Sequence, residues 1–213
     1  MDRLPALGAL ALLAFGLAAH ACGVEDGSVA PSRVERVAAV PAGGGSLDPA
    51  DWCGVHHPEG AGPQLTWPAV VDGATGRPAQ APAASGERWL WINLWATWCG
   101  PCLREMPIIR SWVDALRRDG ARVELIYLSV DEDAGALGRA LASGRDGSPR
   151  ASLRLASPDG LAGWLGRLGL PEGSAIPINI LVGPKGDVRC VRIGSIADGD
   201  FPIVERVLGQ VRR

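Results

Sequence analysis

Apolar positions along this chain fall into runs of two kinds. Trp89 to Trp95 (W-L-W-I-N-L-W) is nearly continuous and too short for a helix, which predicts a buried strand. After Pro101 the rhythm changes: Leu103, Met106, Ile109, Val113 and Leu116 recur every three or four positions, predicting a helix closed by Asp119-Gly120. Arg122 to Val130 reads as a second buried strand. Asp131-Glu132-Asp133 then supplies helix-start side chains ahead of an Ala/Leu-rich helix through Ser143. Arg145 to Pro149 is a loop, Ala151 to Ala156 a short strand, and Ser157-Pro158-Asp159 opens a helix to Leu168. Ile178 to Val182 and Asp187 to Ile193 flank Gly183-Pro184-Lys185-Gly186, a hairpin signal. The last helix, Asp198 to Val211, sets Phe201, Val204, Leu208 and Val211 on one face. Upstream, Pro63 to Val71 has strand-like content, ended by the turn pairs Asp72-Gly73 and Thr75-Gly76. Strands alternating with helices, then a hairpin and a helix, predict an α/β fold with a mixed central sheet flanked by helices.

The N-terminus follows another pattern. Leu4 to Ala19 is an apolar run behind Arg3, and Ala19-His20-Ala21 provides the small residues of a cleavage site. The run is short for a membrane span, which needs about 20 residues, so residues 1–21 read as a secretory signal peptide. Cys22 directly after the small residue resembles a bacterial lipoprotein signal, with Cys22 as the lipidated first residue. Ala19 and His20 depart from the usual form of that signal, which leaves ordinary cleavage and an uncleaved anchor as alternatives. All three place the rest of the chain outside the cytoplasm, in the periplasm. Residues 22–51, with Pro31, Pro41, Gly43-Gly44-Gly45 and Pro49, read as a flexible, lipid-anchored linker with a reach of about 30 Å. The folded domain is expected over 52–213.

Composition narrows this picture little. The 213 residues are 47% hydrophobic and 21% charged, which suits one globular domain with added segments. A net charge of -2 gives no sign of a nucleic-acid partner. Lys185 is the sole lysine, and the arginines are scattered rather than clustered.

The chemistry lies where the first buried strand meets the first helix. Cys99 and Cys102 enclose Gly100-Pro101 at that junction. Unpaired N–H groups and the positive end of the helix dipole there stabilise a thiolate, which makes a competent nucleophile at neutral pH. A redox dithiol fits the spacing best. A zinc site needs four ligands, and the pair could reach that number only by borrowing His56 and His57. A purely structural disulfide would not call for the flanking Trp98 and Pro101.

The longer run Asn93-Leu94-Trp95-Ala96-Thr97-Trp98-Cys99-Gly100-Pro101-Cys102-Leu103-Arg104-Glu105-Met106-Pro107 resembles the TlpA/ResA branch of extracytoplasmic thioredoxin-like proteins, over about Pro63 to Gln210. The resemblance implies a thioredoxin-like fold in which the extra length between Cys102 and Pro177 is a central strand–helix insertion. It makes Cys99 the exposed attacking thiolate and Cys102 the buried resolving cysteine. It makes Ile176-Pro177 a cis-proline unit facing the disulfide and, with Trp98 and Pro101, part of the substrate surface. Trp95 falls to the core, and Pro107 matches a proline that kinks the active-site helix. Glu105, one turn after Cys102, matches a glutamate that tunes the dithiol; the alternative is an ordinary first-turn carboxylate. Asn93 stands where cytoplasmic thioredoxin has a buried aspartate, so that proton-accepting role is unfilled. Gly100-Pro101 resembles the reducing members. The implied activity is a thiol–disulfide oxidoreductase that reduces disulfides of exported proteins, haem-attachment cysteines of apocytochrome c among them, and is recharged by a membrane thiol electron donor. Its cofactor is the redox-active disulfide alone, with no metal. The competing readings are a non-catalytic partner-binding module, which would need neither sulfur, and a thiol peroxidase, which the paired cysteines disfavour. Cys53 and Cys190 remain. Free thiols are uncommon outside the cytoplasm, so a structural disulfide is expected between them; otherwise Cys53 is free and Cys190 is a small buried hydrophobe.

Overall fold

In the computed structural model of the chain, residues 47–144, 147–171 and 173–209 are described. The signal peptide, Cys22, most of the linker, Arg145 and Val211 lie outside them.

The fold is organised on its most apolar strand. β3 (Arg88–Trp95) buries every residue after Arg88. It lies parallel to β4 (Arg122–Ser129) and antiparallel to β6 (Ile178–Val182). A strand covered on both faces has no side to give to polar residues, which explains the continuous apolar run. Outside β6 lie β7 (Val188–Ile193), which completes the hairpin, and the short edge strand β1 (Val55–His56). Outside β4 lie β5 (Leu153–Leu155), parallel to it, and β2 (Val70–Asp72), antiparallel to β5. The order is β1-β7-β6-β3-β4-β5-β2. The helices are α1 (Pro49–Trp52), α2 (Gly100–Arg118), α3 (Ala134–Ser143), α4 (Asp159–Arg167) and α5 (Phe201–Val207). Between β4 and β6 the chain inserts α3, β5 and α4, so the added strand widens the sheet on the β4 side.

Side-chain alternation along β3 divides the core. Leu90, Ile92 and Leu94 join Ile178, Ile180 and the α4 residues Trp164 and Leu165 on one face. Trp89 and Trp91 join Ile109, Trp112, Val113 and Leu116 of α2 with Ile203 and Val204 of α5 on the other. Asn93 shares the Trp91 parity, so its amide points into the α2 layer.

Several boundaries differ from the sequence expectation. The span Pro63 to Val71 contributes only Val70 and Val71 to a strand, with isolated bridges from Gln64 to Asp187 and from Val71 to Pro78. Pro63 and Pro68 have no N–H to offer a ladder. The last helix begins as a 3-10 turn at Asp198–Asp200, and α5 starts at Phe201, with Pro202 in its first turn. Its buried face is Ile203, Val204, Val207 and Leu208, while half-buried Phe201 packs its ring 5.4 Å from Trp112. Helix α1, capped by Asp48 through its bond from the Ala50 N–H, crosses the expected boundary at 52 and buries Trp52. Just past it, Cys53 and Cys190 are joined as a disulfide, their Cα atoms 5.5 Å apart across 137 positions of sequence. The bridge ties α1 to β7. Among the described residues, no helix is long and apolar enough to cross a membrane.

Candidate active site

β3 delivers the chain to the head of α2, and Cys99 is that helix's N-cap. Its Sγ accepts a hydrogen bond from the Cys102 N–H at 3.2 Å, and Pro101 occupies the first turn, where a missing N–H costs nothing. Cys99 and Cys102 are joined as a disulfide, with 5.3 Å between Cα atoms. Each feature that stabilises a sulfur anion at Cys99 is therefore local to the helix start.

Cys99 is less open than the resemblance implied: 4% exposed, against 0% for Cys102. The cause is packing. The pair lies among Trp95, Met106 and Tyr127, with Leu103 and Ile176 against them, and the Ile176 carbonyl oxygen is 3.9 Å from Cys99 Sγ. The Ile176–Pro177 peptide is cis, and Pro177 is buried. Trp98 is 53% exposed, whereas Trp95 is fully buried and donates its Nε1–H to Ser152 Oγ at 3.0 Å. Beside Trp98 opens a cavity of about 540 Å³ lined by Val130, Asp131, Leu155, Leu161 and Ser174 among others. Pro107 lies within the continuous 19-residue α2.

Glu105 is not a first-turn carboxylate. It falls in the second turn of α2, is 1% exposed, and faces the sheet. Its Oε1 accepts from Asn93 Nδ2 at 2.7 Å and Asn179 Nδ2 at 3.2 Å, and its Oε2 from the Ile196 N–H at 3.0 Å. Burial pushes the carboxyl up to about 7, against the opposing pull of those three donors and the Arg192 charge. The group is thus balanced between its two protonation states near neutral pH. The strand register explains the site: Tyr127 on β4, Asn93 on β3, Asn179 on β6 and Arg192 on β7 are successive cross-strand partners. One polar row crosses four strands beneath Glu105. Asn93 thus serves as a donor to a carboxylate on the helix.

Asp131 had no place in the sequence reading beyond helix initiation. It is 4% exposed, and both carboxylate oxygens accept from the Thr97 N–H, at 3.1 and 3.0 Å. It also accepts from Thr97 Oγ1 at 2.6 Å and Ser129 Oγ at 2.7 Å. The residues leading into Trp98 and Cys99 are clamped by this one side chain. The helix cap itself is Asp133. The only forward signal was an acidic residue directly after a buried strand that runs parallel to the cysteine-bearing one. His56 lies on edge strand β1 opposite Cys190. Among the described residues no group of His, Cys, Asp or Glu side chains is placed to hold a metal ion.

A disulfide capping the helix that follows the central strand, with a proline loop against it and a closing antiparallel hairpin and helix, defines a thioredoxin-fold dithiol protein. The chain is 30% identical over 150 residues to the thiol:disulfide interchange protein CycY of Rhizobium leguminosarum bv. viciae, covering 67% of this chain and 72% of that one. It is 27% identical over 64 residues to a thioredoxin of Streptomyces clavuligerus, covering 30% and 56%. Solved structures that overlap it include a thioredoxin-related protein of Neisseria meningitidis serogroup B (21% identity, TM-score 0.49, 66% of this chain and 96% of that one). A thioredoxin-family thiol:disulfide interchange protein of Chlorobium tepidum TLS also overlaps it (21%, TM-score 0.48, 70% and 100%). No family model matches. The chain belongs to the TlpA/ResA-like thiol:disulfide interchange proteins of the thioredoxin family, and it is a thiol–disulfide oxidoreductase.

Proposed function

We propose that the protein works outside the cytoplasm as a reductant of disulfides in exported proteins, through Cys99 and Cys102. The observation that carries this reading is the Cys99 sulfur at the cap of α2, held by the Cys102 N–H, with the buried carboxyl of Glu105 one turn beyond Cys102. In the dithiol form the Cys99 thiolate attacks one sulfur of a partner disulfide. That S–S bond breaks, the first partner sulfur leaves as a thiolate and takes up a proton, and a mixed disulfide joins Cys99 to the partner. Cys102 gives its proton to Glu105 and attacks Cys99 Sγ, closing the Cys99–Cys102 bond and releasing the second partner thiolate. Two electrons pass to the partner; solvent protonates the first partner thiolate, and the proton left on Glu105 goes to the second as it departs. Trp98, Pro101 and Ile176 form the surface beside the pair on which an extended partner chain lies, with buried Pro177 shaping it from beneath. A membrane thiol donor restores the dithiol by the same exchange in reverse.

The reducing direction rests on Gly100-Pro101. Equilibration with glutathione tests it: a potential near thioredoxin's, about -270 mV, is expected, and one near -120 mV overturns it. Insulin-disulfide reduction separates enzyme from binding module, since Cys99→Ser abolishes turnover in the first case and changes nothing in the second. Apocytochrome c peptides with oxidised haem-attachment cysteines are the substrate to compare with insulin.

Residues 1–21 serve as the signal peptide and the segment from Cys22 up to Asp48 as a tether from a lipid on Cys22, with the catalytic domain starting at α1. Support comes from the apolar run, the small residues before Cys22 and the Gly/Pro content that follows. Metabolic labelling with a radioactive fatty acid checks it: label lost in Cys22→Ser is the expected result.

A further inference from the structure

The polar row beneath Glu105 ends in a buried cation that the exchange chemistry above does not use. Arg192 on β7 is 1% exposed. A guanidinium keeps its charge under any ordinary condition, so burial forces it to find acceptors. Nη1 donates to the Trp52 carbonyl oxygen at 2.8 Å and Nη2 to the Ser195 carbonyl oxygen at 3.2 Å. The guanidinium carbon lies 4.8 Å from the Trp52 ring centroid, a cation–π contact. Nε has no hydrogen-bond partner among the described residues.

Both ends of this grip lead elsewhere. The residue after Ser195 is Ile196, whose N–H donates to Glu105 Oε2. Trp52 is followed by Cys53, bonded to Cys190, and Cys190 shares the Arg192 face of β7. The disulfide between α1 and β7, the arginine and the carboxyl one turn after Cys102 thus form one chain of contacts.

We propose that Arg192 is a positioning residue for Glu105, gripping the Ser195–Ile196 turn whose amide donates to that carboxyl, and that the Cys53–Cys190 bond keeps it in place. This rests on the reading of Glu105 as the proton acceptor for Cys102. The groups around Glu105 are Asn93 from β3, Asn179 from β6, Tyr127 from β4 and the Ile196 amide, with Cys102 three residues before it on its own helix. Arg110 acts on Tyr127 and Asp200 on Arg192, and among them Arg192 is the charge that acts on Glu105 to keep it ionised. Loss of that charge and slackening of the turn work in the same direction, toward the protonated form.

Carbon-13 NMR of the glutamate-labelled, oxidised full chain reads the Glu105 midpoint directly, the signal being assigned by its loss in Glu105→Gln. In Arg192→Met the midpoint rises by about one pH unit, a tenfold gain in proton affinity. Arg192→Lys, which keeps the charge but cannot span both carbonyls, gives a smaller rise. The paired Cys53→Ala/Cys190→Ala variant also moves upward. An unchanged midpoint in Arg192→Met, or in Arg192→Lys should the methionine variant not fold, overturns the assignment; an unchanged midpoint in the cysteine variant overturns the part given to the disulfide. Cys99 alkylation followed across pH separates this from the reading beneath it. If Arg192→Met moves Glu105 but leaves the thiol profile as in wild type, Arg192 stands and Glu105's role in exchange falls. In a Glu105→Gln background Arg192→Met adds no further shift to that profile; an undiminished shift shows direct action on the sulfurs and overturns the proposal.

Discussion

Glu105 carries its conflict in one side chain: a carboxyl taken out of water, yet given three donors that favour its anion. Burial prevails, and the folded-state value of about 7 stands above the ordinary 4.5. The consequence for stability has a definite sign. Between pH 4.5 and 7 the folded state binds more protons than the unfolded chain, so stability from this group is complete below that window and falls as pH rises through it. The loss is about 3 kcal/mol across the window, and urea unfolding of wild type and Glu105→Gln at pH 4.5, 6 and 8 checks it; the variant lacks that slope. Cys102→Ser is expected to stall exchange at the mixed disulfide, so partners stay covalently held on Cys99, visible on non-reducing gels. Asp131→Ala strands the Thr97 N–H and hydroxyl, costing about 1–3 kcal/mol in thermal unfolding and slowing insulin reduction because Trp98 and Cys99 lose their support.

Among the elements, β3 and α2 were readable in advance because each is dictated by its own period: a short apolar run for a strand buried on both faces, and three-to-four spacing for a helix with one covered face. Leu94→Ala in β3, at 0% exposure, is expected to cost about 2–5 kcal/mol by chemical denaturation, as cavity-forming substitutions do. The hairpin of β6 and β7 was equally plain from Gly183-Pro184-Lys185-Gly186. The ends of elements were less so. Whether Pro63 to Val71 forms a strand depends on which neighbour offers it hydrogen bonds, and β5 reaches only Val70 to Asp72. The face expected from Phe201, Val204 and Leu208 does pack into the α2 layer, joined by Ile203 and Val207; what differs is the start, since Asp198–Asp200 forms a 3-10 turn before α5 begins.

At the scale of the whole molecule, the Cys53–Cys190 bridge closes a loop of 137 positions, and on the chain-entropy account it contributes about 5 kcal/mol. Unfolding of the Cys53→Ala/Cys190→Ala variant in denaturant checks that figure, and thiol titration of unreduced Cys99→Ser/Cys102→Ser protein should find neither Cys53 nor Cys190 free.

By itself the sequence determined the alternation of strands and helices and the dithiol at a helix head, since each is written in adjacent or regularly spaced residues; the cis-proline at Pro177 followed from the resemblance. Tertiary structure alone decided what surrounds that dithiol. Glu105 meets Ile196 across 91 positions and Thr97 meets Asp131 across 34. The row from Tyr127 to Arg192 exists because strand register aligned four separate segments. Local spacing records a residue's face and period; which distant residue shares its burial is settled only when the sheet is paired and water has been excluded from between its strands and helix α2.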